Sequence, residues 1–331
     1  MNKHISLATI LIIILFSTSH LAIAEDEGTK GTLSIVVEND IFHSDRYYTN
    51  GVRASWLSKP GAGSAWALKA AHLFPLFPEQ ATVQANYAIG QNMYTPKDIT
   101  VETLSEDDRP YAGWLYGSVG LIAETGNWLD QLELTVGVVG PASMAEDTQK
   151  LVHRNIGSKK PMGWDNQLKN EIGIGLTYQR SWRGLVSGKS LGLDYDITPH
   201  AGGALGNIYT YANSGLTVRY GKQLPLDYGP PRIQPSMPGS EFFVPQIKMR
   251  WYIFAGIEGR AIAHNLFLDG NTFQDSHSID KDQFVGDLQY GIVITKKKLR
   301  VSYTHVIRTR EFVNQSTNDQ NFGAISVSMQ F

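Results

Sequence analysis

Between residues 128 and 139 the chain alternates without a break. Leu132, Leu134, Val136 and Val138 fall on one parity, and Gln131, Glu133, Thr135 and Gly137 on the other. A period of two is the mark of a strand whose faces meet different surroundings. Similar alternation recurs over 32–41, 48–57, 82–94, 113–124, 128–139 and 171–182, then over 191–201, 209–220, 248–261, 283–294, 299–307 and 321–331. The last segment sets Ile325, Val327, Met329 and Phe331 against Ser326, Ser328 and Gln330. Segments of about ten residues, rich in glycine and aromatics, predict an all-β fold: an antiparallel transmembrane β-barrel, apolar toward lipid and polar or small toward the lumen. The count of twelve segments is even, as single-chain bacterial barrels require, and it puts both ends on the periplasmic side.

That topology assigns each connection a side. The turns at 124–128 and 296–298 are short and fall on the periplasmic side, where short turns belong. Residues 222–242, rich in proline and glycine, are long for such a turn. They predict either an ordered loop or a different strand count.

The beginning of the sequence has another pattern. Lys3 and His4 precede an apolar run over 5–16, and Ala22-Ile23-Ala24 has the small-x-small form of a cleavage site. This is the layout of a secretory signal peptide over 1–24, which leaves 25–331 as a single barrel domain. The run is shorter than the roughly 20 residues of a membrane-spanning helix. Together with the aromatic final residue, common in outer-membrane barrels, this predicts the bacterial outer membrane. The absence of cysteine excludes disulfides and thiolate metal sites. The balance of 29 Lys and Arg against 31 Asp and Glu argues against nucleic acid as a partner.

One stretch departs from the alternation. After Gly140-Pro141, the spacing of Ser143 and Glu146 matches a capping box, and Gly157 offers a stop. A helix from Ser143 to about Ile156 is expected in the third extracellular connection. Gln149 and His153, four apart, would share one of its faces. A second polar group lies where the first segment ends and the second begins, with Asn39, Asp40, Thr49 and Gly51. Glu38 and Asp40 have the lumen-facing parity of Ser34. A carboxylate among hydroxyl and carbonyl oxygens suits calcium; it equally suits the polar mouth of any barrel.

These pieces resemble the lipid A 3′-O-deacylase family of outer-membrane barrels. The resemblance rests on Asn39-Asp40, Tyr48-Thr49-x-Gly51, Asp108-Arg109 and Gly137-Val138-Val139-Gly140-Pro141. It continues through Gln149-x-x-x-His153-Arg154-x-Ile156-Gly157, Trp164 and Gln167. It implies a twelve-stranded barrel with its active site between the wall and the extracellular helix, and hydrolysis of the ester-linked 3′ acyl group of lipid A. It also implies His153 as general base, Gln149 orienting substrate or water, and calcium held by Asp40 with backbone oxygens of Thr49 and Gly51, Asn39 lying beside them. The partner would be lipopolysaccharide in the outer leaflet, and the protein a monomer. Ser158-Lys159-Lys160 stand where some members carry an acidic residue, and Lys97 lies in the loop that holds the family's basic residue. The alternative is a non-enzymatic barrel, a pore or a structural or adhesive protein. A serine hydrolase is disfavoured, because no G-x-S-x-G motif occurs.

Overall fold

Alternating segments form strands because each can turn its apolar side chains to lipid while its backbone pairs on both edges, and only a closed ring leaves no edge unpaired. The computed structural model describes residues 30–40, 47–61, 68–69, 72–78, 81–236, 239–317 and 319–331. The leader expected at 1–24 lies outside them. The strands are β1 (Gly31–Asn39), β2 (Tyr47–Ser58), β3 (Thr82–Thr95), β4 (Ala112–Thr125), β5 (Trp128–Val139), β6 (Glu171–Trp182) and β7 (Val186–Ser190). They continue with β8 (Leu193–Gly206), β9 (Tyr209–Lys222), β10 (Gln246–Asn265), β11 (Phe284–Lys297), β12 (Leu299–Thr309) and β13 (Asp319–Gln330). Each expected segment corresponds to one of them.

Sequence neighbours pair antiparallel around the sheet, and β1 pairs with β13, from Thr32 opposite Gln330 to Asn39 opposite Gly323. β6 and the short β7 both lie along β8, Ser181 opposite His200 and Val186 opposite Ile197. They act as one interrupted strand, so the ring closes with twelve staves. Among the described residues no helix is long and apolar enough to cross a membrane. The strands cross instead.

Tight turns at 126–127, 191–192 and 297–298 mark one end of the barrel as periplasmic. Leu191 and Gly192 both have positive φ, as a two-residue hairpin turn of this hand requires. Leu134, Val136, Ile253 and Ile257 are exposed on the outside of the wall, while Ser34, Ser55, Asn86, Ser302 and Ser328 are buried inside.

The long connection at 223–245 resolves the conflict seen in the sequence. The strand count stands, and the described residues 223–236 and 239–245 fold up into the lumen as a plug. Arginines on both sides join it to the wall: Arg232 of the plug pairs with Glu38 at 2.7 Å, and Arg53 of β2 with Glu241 at 2.6 Å. Arg300 of β12 donates to the carbonyl of Ser240 at 2.6 Å, and Arg308 to that of Pro235 at 3.0 Å. Asp227 accepts from Arg219 and from Tyr252, and Arg300 lies 3.7 Å from its carboxylate. Above the plug, Tyr48, Tyr94, Trp114, Phe267 and Phe322 form an apolar cluster inside the extracellular end. Phe267 comes from a single helical turn at Leu266–Asp269, α2. Between plug and cluster remains a cavity of about 100 Å³, lined among others by Arg53, Trp114, Tyr211 and Arg232.

Candidate active site

The expected helix is present as α1 (Ala145–Ile156), but its start differs from the expectation. Pro141–Ser143 form a short 3-10 turn, and Met144, in the left-handed region, occupies the N-cap without a side-chain cap bond. The Ser143 hydroxyl turns back to donate to the carbonyl of Gly140 at 2.6 Å, so the capping box does not form. Ser143 is buried against the wall instead. A Cβ on Gly113 of β4 would fall 2.1 Å from its Oγ and 2.3 Å from the Cβ of Ala145. Glu146 and Asp147 in the first turn, and Arg154 in the last, complement the helix dipole.

α1 lies on the outside of the wall. In β3 the odd positions Tyr87 and Ile89 are exposed outward, whereas Asn86 and Asn92 are buried inside. Met93, on the outward parity, packs in one buried cluster with Ala145, Ile99, Tyr111 and Trp164. Gln91, also outward, donates to the carbonyl of Ser143 at 2.7 Å. The helix thus lies against the lipid face of the wall at its extracellular rim. We expect Gly113→Ala to lift the start of α1 and lower activity while the barrel stays folded. Activity assayed beside heat-modifiable migration checks this, and full activity would show that the helix tolerates the displacement.

The face of α1 turned to the protein consists of Ala145, Gln149 and His153. The Oε1 of Gln149 accepts from the Trp164 indole at 2.7 Å, and its Nε2 is buried with no hydrogen-bond partner among the described residues. Trp164 packs on Tyr111 with ring centroids 4.8 Å apart, and Tyr111 donates to the carbonyl of Ile99 at 3.0 Å. His153 places Nδ1 2.5 Å from the carbonyl oxygen of Lys159. A carbonyl only accepts, so Nδ1 carries the proton, and the lone pair of the neutral ring is on Nε2. Lys159 therefore holds the histidine through its backbone. Nearby, Asp98 accepts from both the hydroxyl and the amide of Thr100, and these bonds, with the Lys159 charge, hold its carboxyl below the usual range.

The second polar group lies at the same rim. Asp40 follows β1 and is buried; its amide donates to the carbonyl of Thr49 at 3.4 Å. The Thr49 and Thr95 hydroxyls are 2.7 Å apart. Thr95 has the outward parity of Met93, the side of β3 on which α1 packs. Asn39 is half-buried between Gly323 and Asn50 of the flanking strands. Gly51 lies opposite Glu38, and its Cα faces the Tyr48 ring and Ile233 of the plug. Carboxylate, carbonyl and hydroxyl oxygens are the donors calcium takes. Among the described residues no three acidic or histidine side chains cluster, so an ion here would be held by the Asp40 carboxylate and neutral oxygens.

The sequence model of the family described as outer membrane protein LpxR matches residues 10–331. This chain belongs to the LpxR family. It is an outer-membrane barrel of the lipid A 3′-O-deacylase family. The solved structure of LpxR from Salmonella typhimurium superposes with a TM-score of 0.71 at 21% identity, covering 91% of this chain and all (100%) of that one. The β domain of the Bordetella autotransporter BrkA gives a TM-score of 0.42 at 8% identity, with 92% and 100% covered. No curated protein matches.

Within this LpxR-family barrel, the motif residues singled out in the sequence fall into separate tasks. Asp108 accepts from the amides of Lys97 and Arg109, at 2.7 and 2.8 Å, and fixes the loop after β3. Arg109 turns inward, its guanidinium 4.8 Å from the Tyr94 ring centre and 3.4 Å from Glu311. Thr95 escaped the sequence reading because a strand-end threonine carries no distinguishing pattern.

Proposed function

We propose that this chain hydrolyses the ester-linked 3′ acyl group of lipid A in the outer leaflet, acting as a monomer with His153 as general base. The observation that carries this is the bond from His153 Nδ1 to the Lys159 carbonyl, on a helix seated against the lipid face. It puts the lone pair of the neutral ring on Nε2, the atom that would take a proton from water as that water attacks the ester carbonyl. The same proton can then pass to the departing sugar oxygen. Gln149, held through its Oε1 by Trp164, keeps its amide hydrogens for substrate or water. Asp40, with oxygens of Thr49 and Gly51 and with Asn39 beside them, would hold a calcium ion. Such an ion, when bound, polarises a carbonyl as a Lewis acid.

The deciding experiment is mass spectrometry of lipid A from cells with and without this chain. Loss of the 3′ acyloxyacyl unit supports the assignment, and unchanged lipid A overturns it. The pore alternative predicts steady conductance in planar bilayers. A lumen filled by residues 223–245 and capped by the aromatic cluster predicts none. We further expect Asp40→Ala to remove activity together with calcium dependence, since calcium binds six to eight oxygens and the charged one contributes most. Normal hydrolysis by this variant in the presence of a chelator would exclude the metal role.

A further inference from the structure

The connection between β2 and β3 is the other long one at the periplasmic end, and its described residues pack outside the lumen. Its described residues 68–69 and 72–78 lie on the outside of the wall. Phe77 is buried in a cluster with Val83 and Ala85 of β3 and Leu121 and Ala123 of β4, flanked by Leu68, Phe74 and Leu132. All of these wall positions have the outward parity of Tyr87, Val119 and Leu134, which are exposed further up the same strands. The Phe74 ring packs on Tyr178 of β6 at 4.8 Å. The carbonyl of Leu76 accepts from Arg180 at 2.9 Å and from Tyr178 at 3.3 Å. Both side chains also bond Asp130, each at 2.6 Å. An aspartate, an arginine and a tyrosine on the lipid face near the periplasmic rim are thus bound to one another and tied to this segment. A charge left bare in hydrocarbon would be costly.

The other side of the segment is apolar and open. Leu73 is 84% and Leu76 57% exposed, and so are Lys59, which follows β2 at the periplasmic end, and Lys69 of the segment itself. Water offers no gain to leucines presented in this way. The wall above them is the membrane-facing surface of the barrel, continuous with the segment through Val83, Ala85 and Leu121.

We propose that residues 68–69 and 72–78 form an in-plane foot that seats in the phospholipid of the periplasmic leaflet, with Leu73 and Leu76 among acyl chains near the headgroups. The lysines at that depth meet lipid phosphates. The occupant follows from the continuity with the lipid-facing wall and from the charge at the rim. The foot stands on β3 and β4, the strands that carry α1 at the other end. The lipid face left between them on β3 runs only from Tyr87 to Gln91, about 14 Å of strand. The barrel therefore grips the bilayer from both leaflets on the side of the candidate active site.

The chain contains no cysteine, so single-cysteine labelling is unambiguous. Leu73→Cys and Leu76→Cys carry a polarity-sensitive fluorophore in vesicles of phosphatidylethanolamine and phosphatidylglycerol. Leu191→Cys in the periplasmic hairpin turn is the water reference. Heat-modifiable migration shows that each variant is folded. The proposal expects emission from positions 73 and 76 at shorter wavelength than from 191, quenched most strongly by a spin label high on the lipid acyl chain. Water-like emission at both positions overturns it. So does short-wavelength emission that lipid quenchers leave unchanged, because protein, such as a second copy of the chain, would then cover the face.

Discussion

His153→Ala is expected to abolish turnover while the barrel folds and migrates normally. A positioned general base is typically worth 10²–10⁴-fold, well within the range of a lipid A assay. The helix that carries it lies outside the closed sheet and adds nothing to the strand ladder. Acidification of the wild type should lower the rate, because imidazolium has no lone pair on Nε2. Gln149→Ala should cost less, since an amide orients without accepting the proton. If correctly folded His153→Ala turns over lipid A at the wild-type rate, the proposed mechanism loses its centre.

Asp227→Ala is expected to have the largest effect on stability. The carboxylate is fully buried and serves Arg219, Tyr252 and Arg300 together. Its removal strands the Arg300 guanidinium in the lumen and leaves Arg219 with Asp196 alone, and breaking a buried pair from one side typically costs about 3–5 kcal/mol. The temperature at which the folded gel band converts to the unfolded one should fall markedly. Replacing Arg300 as well should restore part of the loss, because the stranded charge goes with it. An unchanged conversion temperature in Asp227→Ala would mean that water in the lumen compensates the arginines.

The strands were legible in the sequence because lipid on one side and lumen on the other impose a two-residue period on each of them. The face shared by Gln149 and His153 was legible for the analogous reason, a spacing of four on a helix. The plug was not. The sequence of 223–245 has no period, since its described residues meet the wall through individual contacts, as at Asp227, Arg232 and Glu241, and not through a repeating environment. A signal was nevertheless present at lumen parity, where Arg53, Arg219, Arg260, Arg300 and Arg308 recur among Glu38, Glu258 and Asp287. So many charges facing inward need partners, and a filled lumen supplies them. The capping box at Ser143 misled because Pro141 opens a turn of its own, and contact with Gly113 fixed the hydroxyl in another direction. The bond from His153 to Lys159 joins a side chain to a backbone atom, and no choice of side chain at 159 reveals it.

The plug also bears on the order in which the barrel can be assembled. Residues that grip it come from both sides of the seam. Glu38 of β1 holds Arg232, which is 194 positions later in the chain, and Gln330 of β13 donates to the carbonyl of Phe243 at 2.7 Å. The full set of plug contacts therefore exists only when the first strand, the last strand and a segment from the middle of the chain are brought together. Contacts of such long range form late, after the entropy of closing large loops has been overcome. Until then β1 and β13 each present an open edge, the form in which a sheet is most prone to pair with a neighbouring molecule. Seating the plug and closing the circumference are in this sense a single event, and its timing sets how long the nascent barrel remains vulnerable.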